Sequence, residues 1–134
     1  MKYRLKSDRE VVVRHDYKKE IIFSPSDFVR PEFLLQILTI PPNTKQRLHF
    51  HKKQTEVYFV LEGKALVYVD KREFTAYPGD AFMSGPHEMH YLWNQSNKEF
   101  KLAVFKFDIP KEEDTEWVGK GKSESKDQNL KSKN

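Results

Sequence analysis

Apolar residues come in short runs separated by polar, glycine- or proline-bearing breaks along most of the chain. Residues 11–13 (VVV) and 21–23 (IIF) predict two strands at the edge of the fold, or arms that pair with a second subunit. The polar turn between them holds His15, read as a surface residue. Residues 24–27 (SPSD) predict a turn, with room for at most one helical turn because Pro31 follows. Residues 33–40 (FLLQILTI) are almost continuously apolar and stop at Pro41-Pro42, which predicts a buried strand. Further strands are expected over 56–61, 64–69, 74–77, 81–83, 90–94 and 100–107. Gly63, the charged stretch 70–73, Pro78-Gly79-Asp80 and 95–97 supply the turns. Residues 111–118 predict one exposed helical turn that docks Trp117 on the rest. About eight to ten strands punctuated in this way make an all-β domain.

The 134 residues suffice for one domain with a real core, and ten Phe supply much of its bulk. The formal charge of +4 is unevenly placed. Lys120, Lys122, Lys126, Lys131 and Lys133 outnumber Glu124 and Asp127 in the last sixteen residues, so the rest of the chain is close to neutral. Residues 1–118 are therefore expected to form the domain and 119–134 a disordered Lys/Ser-rich tail. The folded part shows no clear basic patch, so a nucleic-acid partner is not expected. There is no Cys, which excludes disulfides and thiolate sites. No apolar stretch reaches the length of a membrane span and no signal-peptide core is present, so a cytoplasmic protein without a membrane partner is expected.

The densest chemistry lies in residues 43–63, NTKQRLHFHKKQTEVYFVLEG. His49 and His51 are two apart, so on a strand both imidazoles point to one face. Glu56 lies five beyond His51, an odd offset that an uninterrupted strand would send to the other face. The polar stretch 52–55 is a suitable place for the chain to turn. Two adjacent strands can then aim two imidazoles and a carboxylate at one point, a mixed N/O set suited to a first-row divalent metal. Residues 78–94, PGDAFMSGPHEMHYLWN, add His90.

These two stretches resemble the motifs of the cupin superfamily. The first, commonly G-x5-H-x-H-x3,4-E-x6-G, reads here Asn43-x5-His49-x-His51-x4-Glu56-x6-Gly63. The second, commonly G-x5-P-x-G-x2-H-x3-N, reads Gly79-x5-Gly85-x-His87-x2-His90-x3-Asn94. Asn43, Gly85 and His87 depart from the pattern, and Pro86 is displaced by one. The resemblance covers residues 33–110. It implies a double-stranded β-helix (jelly-roll) barrel, with His49, His51, Glu56 and His90 as ligands of a divalent transition metal such as Fe, Mn, Zn or Ni. It also suggests a homodimer.

Parity extends the site. Tyr58 shares the inward face of Glu56, where it can hydrogen-bond a substrate or the carboxylate, or fill core. Glu88 shares the parity of His90 and is a candidate general base at the rim. His87 reads as a loop residue at the barrel mouth, and Asn94 as a residue that serves the turn after its strand. Three imidazoles and one carboxylate leave coordination positions open for water or a small-molecule substrate. The expected function is a metal-dependent enzyme acting on a sugar, sugar acid or keto acid, of isomerase, epimerase or lyase type. An Fe(II) dioxygenase and a non-catalytic ligand- or metal-binding protein are the alternatives.

Overall fold

The structure, a computed structural model, describes residues 1–119. The expected disordered tail therefore lies, from Lys120 onward, outside the described residues. Twelve strands are present among the described residues: β1 (Glu10–Val13), β2 (Lys18–Phe23), β3 (Leu34–Ile40), β4 (Thr44–Lys45), β5 (His49–His51), β6 (Thr55–Glu62), β7 (Ala65–Val69), β8 (Arg72–Ala76), β9 (Ala81–Ser84), β10 (His90–Asn94), β11 (Phe100–Phe107) and β12 (Thr115–Trp117). They form two sheets in the orders β1-β2-β3-β11-β6-β9 and β12-β5-β10-β7-β8, with β4 paired to β10. All pairings are antiparallel. The all-β jelly-roll expectation holds.

Strand alternation places the core. On β11, Phe100, Leu102 and Val104 are fully buried while Lys101, Ala103 and Phe105 face out. On β6 the inward row is Glu56, Tyr58, Val60, and on β10 it is His90, Leu92, Asn94. Ile40, Val60, Val67, Leu92 and Leu102 fill the space between the sheets at one end. The same inward rows end in Glu56 and His90 at the other, where hydrocarbon gives way to polar groups.

Turn chemistry fixes the register. Asp70 and Lys71 both have positive φ (48° and 70°), which makes them a two-residue hairpin turn between β7 and β8. Arg72 and Glu73, expected in that turn, belong to β8 instead. Gly63 has φ 81°, and a Cβ there would run into the carbonyl oxygen of Glu99. Asn43 and His87 also have positive φ (51° and 66°). They stand where the motifs carry glycine, so the left-handed backbone is kept without the residue that adopts it most easily.

Asn94 ties the ends of three segments together. Its Nδ2 donates to the carbonyls of Ile40 (3.1 Å), Pro41 (3.0 Å) and Lys98 (2.7 Å). Its Oδ1 accepts from Ser96 N (3.0 Å) and Ser96 Oγ (2.8 Å). This is the turn-serving role expected of it.

A second segment differs from expectation. Residues 115–117 form strand β12 against β5, with Thr115 opposite His51 and Trp117 opposite His49, not a helical turn. The edge of β5 has unpaired backbone groups that a strand satisfies and a helical turn does not. Val118 N continues the ladder to Leu48 O (2.9 Å).

Replacing Asn94 by Ala removes five hydrogen bonds from a fully buried side chain, the one to the Ile40 carbonyl buried and the other four half-buried, so a loss of about 2–4 kcal/mol is expected in chemical denaturation. His87→Gly should instead gain about 0.5–1 kcal/mol by relieving left-handed backbone strain; a loss would show that the His87 side chain carries more than the turn.

Candidate metal centre

Strand β5 aims both its outer residues inward, as the two-residue spacing requires. His49 and His51 are 8% and 4% exposed, and His90, on the neighbouring β10, is 2% exposed. His90 pairs directly with His49 in the ladder. Ring centroids lie 4.2 Å apart for His49–His90, 5.3 Å for His51–His90 and 5.4 Å for His49–His51. One ring nitrogen from each imidazole lies within 4.8 Å of the other two, a cluster that can hold one metal ion.

The outward nitrogens are fixed by their neighbours. His49 Nδ1 is 2.8 Å from Arg47 O and His90 Nδ1 is 3.0 Å from Glu88 O. A carbonyl only accepts, so each Nδ1 carries its proton and each Nε2 presents a lone pair inward. His51 Nδ1 is 3.2 Å from Thr115 Oγ1. His90 Nε2 is buried without a hydrogen-bond partner. Imidazoles oriented through Nδ1, with a buried Nε2 left over, are what a metal bound through Nε2 requires. The donor set therefore fits a divalent transition metal.

Glu56 stands beside the imidazoles. Its Oε1 is 3.0 Å from His51 Nε2 and 3.2 Å from His90 Nε2, the second contact lacking the alignment of a hydrogen bond. Tyr58 Oη donates to the same oxygen at 2.6 Å, and Lys106 Nζ lies 3.7 Å from Oε2. Burial pushes the Glu56 carboxyl up, but the His51 hydrogen bond and the Lys106 charge outweigh it, so Glu56 sits well below the usual carboxylate range. Tyr58 is pushed well above its ordinary value by burial and by the Glu56 charge. It therefore acts as a donor to Glu56 at neutral pH. Its ring stacks on Phe82 (centroids 4.6 Å, 13° between planes).

The structure thus brings His49, His51, Glu56, His90 and Tyr58 together. Glu88 is elsewhere engaged: its Oε1 accepts from Gly85 N at 2.8 Å and closes the turn before β10. Because β10 starts at His90, the parity that would have aimed Glu88 at the rim does not reach it. His87 lies in that turn, its N–H donating to His51 O (2.7 Å) and its ring near Phe50 (5.8 Å).

A cavity of about 540 Å³ opens beside His49, His51 and Glu56. Its walls also come from β1, β2, β3, the end of β11 and residues 109–117. Trp117 covers His49 (ring centroids 4.9 Å) and Arg47 lies over the indole (4.3 Å). Asp114 shapes the loop between the ligand-bearing strands, accepting from the backbone N–H of Lys52 (3.2 Å), Lys53 (3.0 Å) and Gln54 (3.0 Å). Lys19, Lys106, Asp114 and Thr115 are the residues that motif reading missed. Lys106 and Lys19 had a signal in the inward parity of their strands; Asp114 and Thr115, sixty or more residues from their partners, had none.

A family profile described as "Cupin domain" matches residues 36–107. An uncharacterized protein of Methanocaldococcus jannaschii is 31% identical over 77 residues, which are 58% of this chain and 62% of that protein. The chain thus spans less than two thirds of this relative. Among solved structures, the polyketide cyclase RemF from Streptomyces resistomycificus superposes with a TM-score of 0.75 at 19% identity, over 91% of this chain and 88% of that one. A predicted oxalate decarboxylase from Thermotoga maritima gives 0.71 at 17% identity, over 81% and 100%. KdgF from a Halomonas species gives 0.68 at 15% identity, over 83% and 96%. At these identities the likeness concerns the fold.

The double variant His51→Ala/His90→Ala is expected to lose stoichiometric metal while keeping its β-sheet circular dichroism; metal retained at one equivalent would reject the centre. Burial and the neighbouring His90 hold His49 well below its ordinary value. A depressed imidazole is neutral in the native state while the unfolded chain takes up a proton below about pH 6.5. Thermal stability of the metal-free protein should therefore fall as pH drops below about 6.5, and metal affinity should fall in the same window.

Proposed function

The chain belongs to the cupin family, and from that premise we propose that it is a metal-dependent enzyme acting on a small polar metabolite. The substrate class is a sugar, sugar acid or keto acid, and the reaction is of isomerase, epimerase or lyase type. The observation that carries this reading is the convergence of three buried imidazoles, each held at Nδ1, two of which, His49 and His51, line a cavity large enough for such a molecule. The proposed ligands are His49, His51 and His90, with Glu56 as a fourth.

When bound, the metal would act as a Lewis acid toward a substrate carbonyl or hydroxyl. The chain's own residues supply the rest. Glu56 stays ionised and balances positive charge beside the imidazoles. Tyr58 keeps its proton, donates it in a hydrogen bond to Glu56 Oε1 and holds that carboxylate in place. Trp117, Leu34, Leu38 and Ile21 give the cavity apolar surface that limits water. The solved structures with the same fold include proteins described as a polyketide cyclase, a predicted oxalate decarboxylase and a nucleoside dehydratase. Such variety supports an enzyme without selecting the reaction.

The test is proton NMR in D₂O of metal-loaded protein with a panel of sugar acids and keto acids. Exchange or loss of a proton beside the carbonyl, absent in His51→Ala/His90→Ala, is the expected outcome. Oxygen uptake with Fe(II) in place of exchange would favour the dioxygenase alternative. Binding without turnover under every metal would favour the non-catalytic one.

We also propose a homodimer, formed through the outer face of the sheet that holds β3, β11, β6 and β9. There Leu35, Phe105, Val57 and Met83 are cross-strand neighbours, flanked by the row Ile37, Ala103, Phe59, Ala81. Phe59, Met83 and Phe105 are 46%, 58% and 42% exposed. A contiguous apolar face of this kind marks an association surface. Sedimentation equilibrium should give twice the chain mass, and Phe105→Glu should give the monomer.

A further inference from the structure

The inward rows of the sheet that holds β2, β3 and β11 change character at the cavity. On β11, Phe100, Leu102 and Val104 face the core, and the next inward position is Lys106. On β2, Lys19 lies between Tyr17 and Ile21, and all three line the cavity. An inward lysine at the end of a core strand is costly unless something receives its charge.

What receives it is incomplete. Lys106 reaches Glu56 Oε2 only at 3.7 Å, beyond hydrogen-bond distance, with its side chain 15% exposed. Lys19 lies over the Tyr17 ring (5.2 Å). Among the described residues neither ammonium donates a side-chain hydrogen bond. The two groups also feel each other: Lys19 is lowered to about 7, first by the Lys106 charge and then by burial and Arg14, against Glu56 and Glu113. Three other acids of the wall have partners of their own. Asp114 holds the 52–54 backbone, Glu112 lies 3.7 Å from Lys53 and Glu113 accepts from Thr115 N (3.3 Å).

We propose that Lys19 and Lys106 form a carboxylate-binding subsite, so that the substrate is a small organic acid whose carboxylate lies between the two ammonium groups and whose carbonyl or hydroxyl end faces the three imidazoles. The Lys106 ammonium and Lys19, whose charged form an anion beside it favours, match the two oxygens of one carboxylate. The location follows from the chain of contacts already described: Lys106 touches Glu56, and Glu56 touches His51 and His90. A short acid can therefore span from the lysines to the imidazoles. The orientation of its carbonyl end rests on the proposed metal-dependent function; the lysine subsite does not.

The experiment is calorimetric titration of the full chain, metal-loaded and metal-stripped, with pyruvate, its neutral analogue pyruvamide, and inorganic phosphate. Metal content is measured on the same samples. Pyruvate should bind at least about tenfold tighter than pyruvamide and tighter than phosphate. Lys19→Met and Lys106→Met should each weaken pyruvate about tenfold or more while leaving pyruvamide unchanged. Circular dichroism melts establish that each variant is folded, and if Lys106→Met is not, Lys19→Met decides. Pyruvate binding no tighter than pyruvamide, including no binding of either, overturns the subsite. So does wild-type affinity in the folded lysine variants, or a preference for phosphate. Protein that takes up no metal yet still prefers pyruvate in a lysine-dependent way removes the proposed function and leaves the subsite standing. Metal-loaded protein that shows no preference does the reverse.

Discussion

Antiparallel strands that bury one face leave no choice about where each side chain points, and in this protein the three imidazoles, Glu56, Tyr58 and Lys106 are placed by that constraint. The inward rows of β3, β6, β10 and β11 pack hydrocarbon between the sheets at one end. Continued by one or two residues, the same rows reach Glu56, His90 and Lys106. The sheet that closes the core is therefore also the ruler that sets the site. A slip of one residue in β6 or β11 would expose Val60 or Leu102 and withdraw Glu56 or Lys106 together, so site geometry and core stability share one register.

Glu56 is where these rows meet. It is a buried carboxylate, which alone would be unfavourable, yet it remains ionised because Tyr58, His51 and Lys106 surround it. Tyr58 belongs to the same strand, two residues on, so its hydrogen bond comes from the pleat itself. The imidazoles are held from behind by carbonyls of Arg47 and Glu88, each two residues before the histidine it orients. Local backbone geometry thus presets the donor set, and only His51 depends on a distant residue, Thr115.

Much of this was legible in the sequence because it is local. The spacing of His49 and His51, the break after them and the parity of Glu56 and Tyr58 are all statements about neighbouring residues on strands. The motif glycines were legible as conformations, and Asn43 and His87 keep the conformations without the glycine. What was not legible is long-range. Residues 115–117 carry no pattern of their own; they are a strand because β5 offers an open edge, and a helical turn was the wrong inference from local composition. Glu88 misled for the same reason, since parity counts only inside a strand and its residue lies one turn outside. Asp114 completes the loop between His51 and Glu56 from sixty residues away, and no spacing rule links them.

The walls of the cavity have a particular origin in the chain. The stretch that matches the family profile, 36–107, holds the imidazoles, Glu56 and Lys106. Lys19, Asp114, Thr115 and Trp117 lie before or after it. The candidate metal centre and much of its enclosure thus come from different parts of the polypeptide, joined through β2, β12 and the Asp114 contacts to residues 52–54. Two chains could agree throughout the matched stretch and still admit different guests, because the doorway is built from the flanks. Exchanging residues 1–23 and 109–118 between such chains would rebuild the wall and, through Asp114 and Thr115, also reset the loop after His51 and its ring.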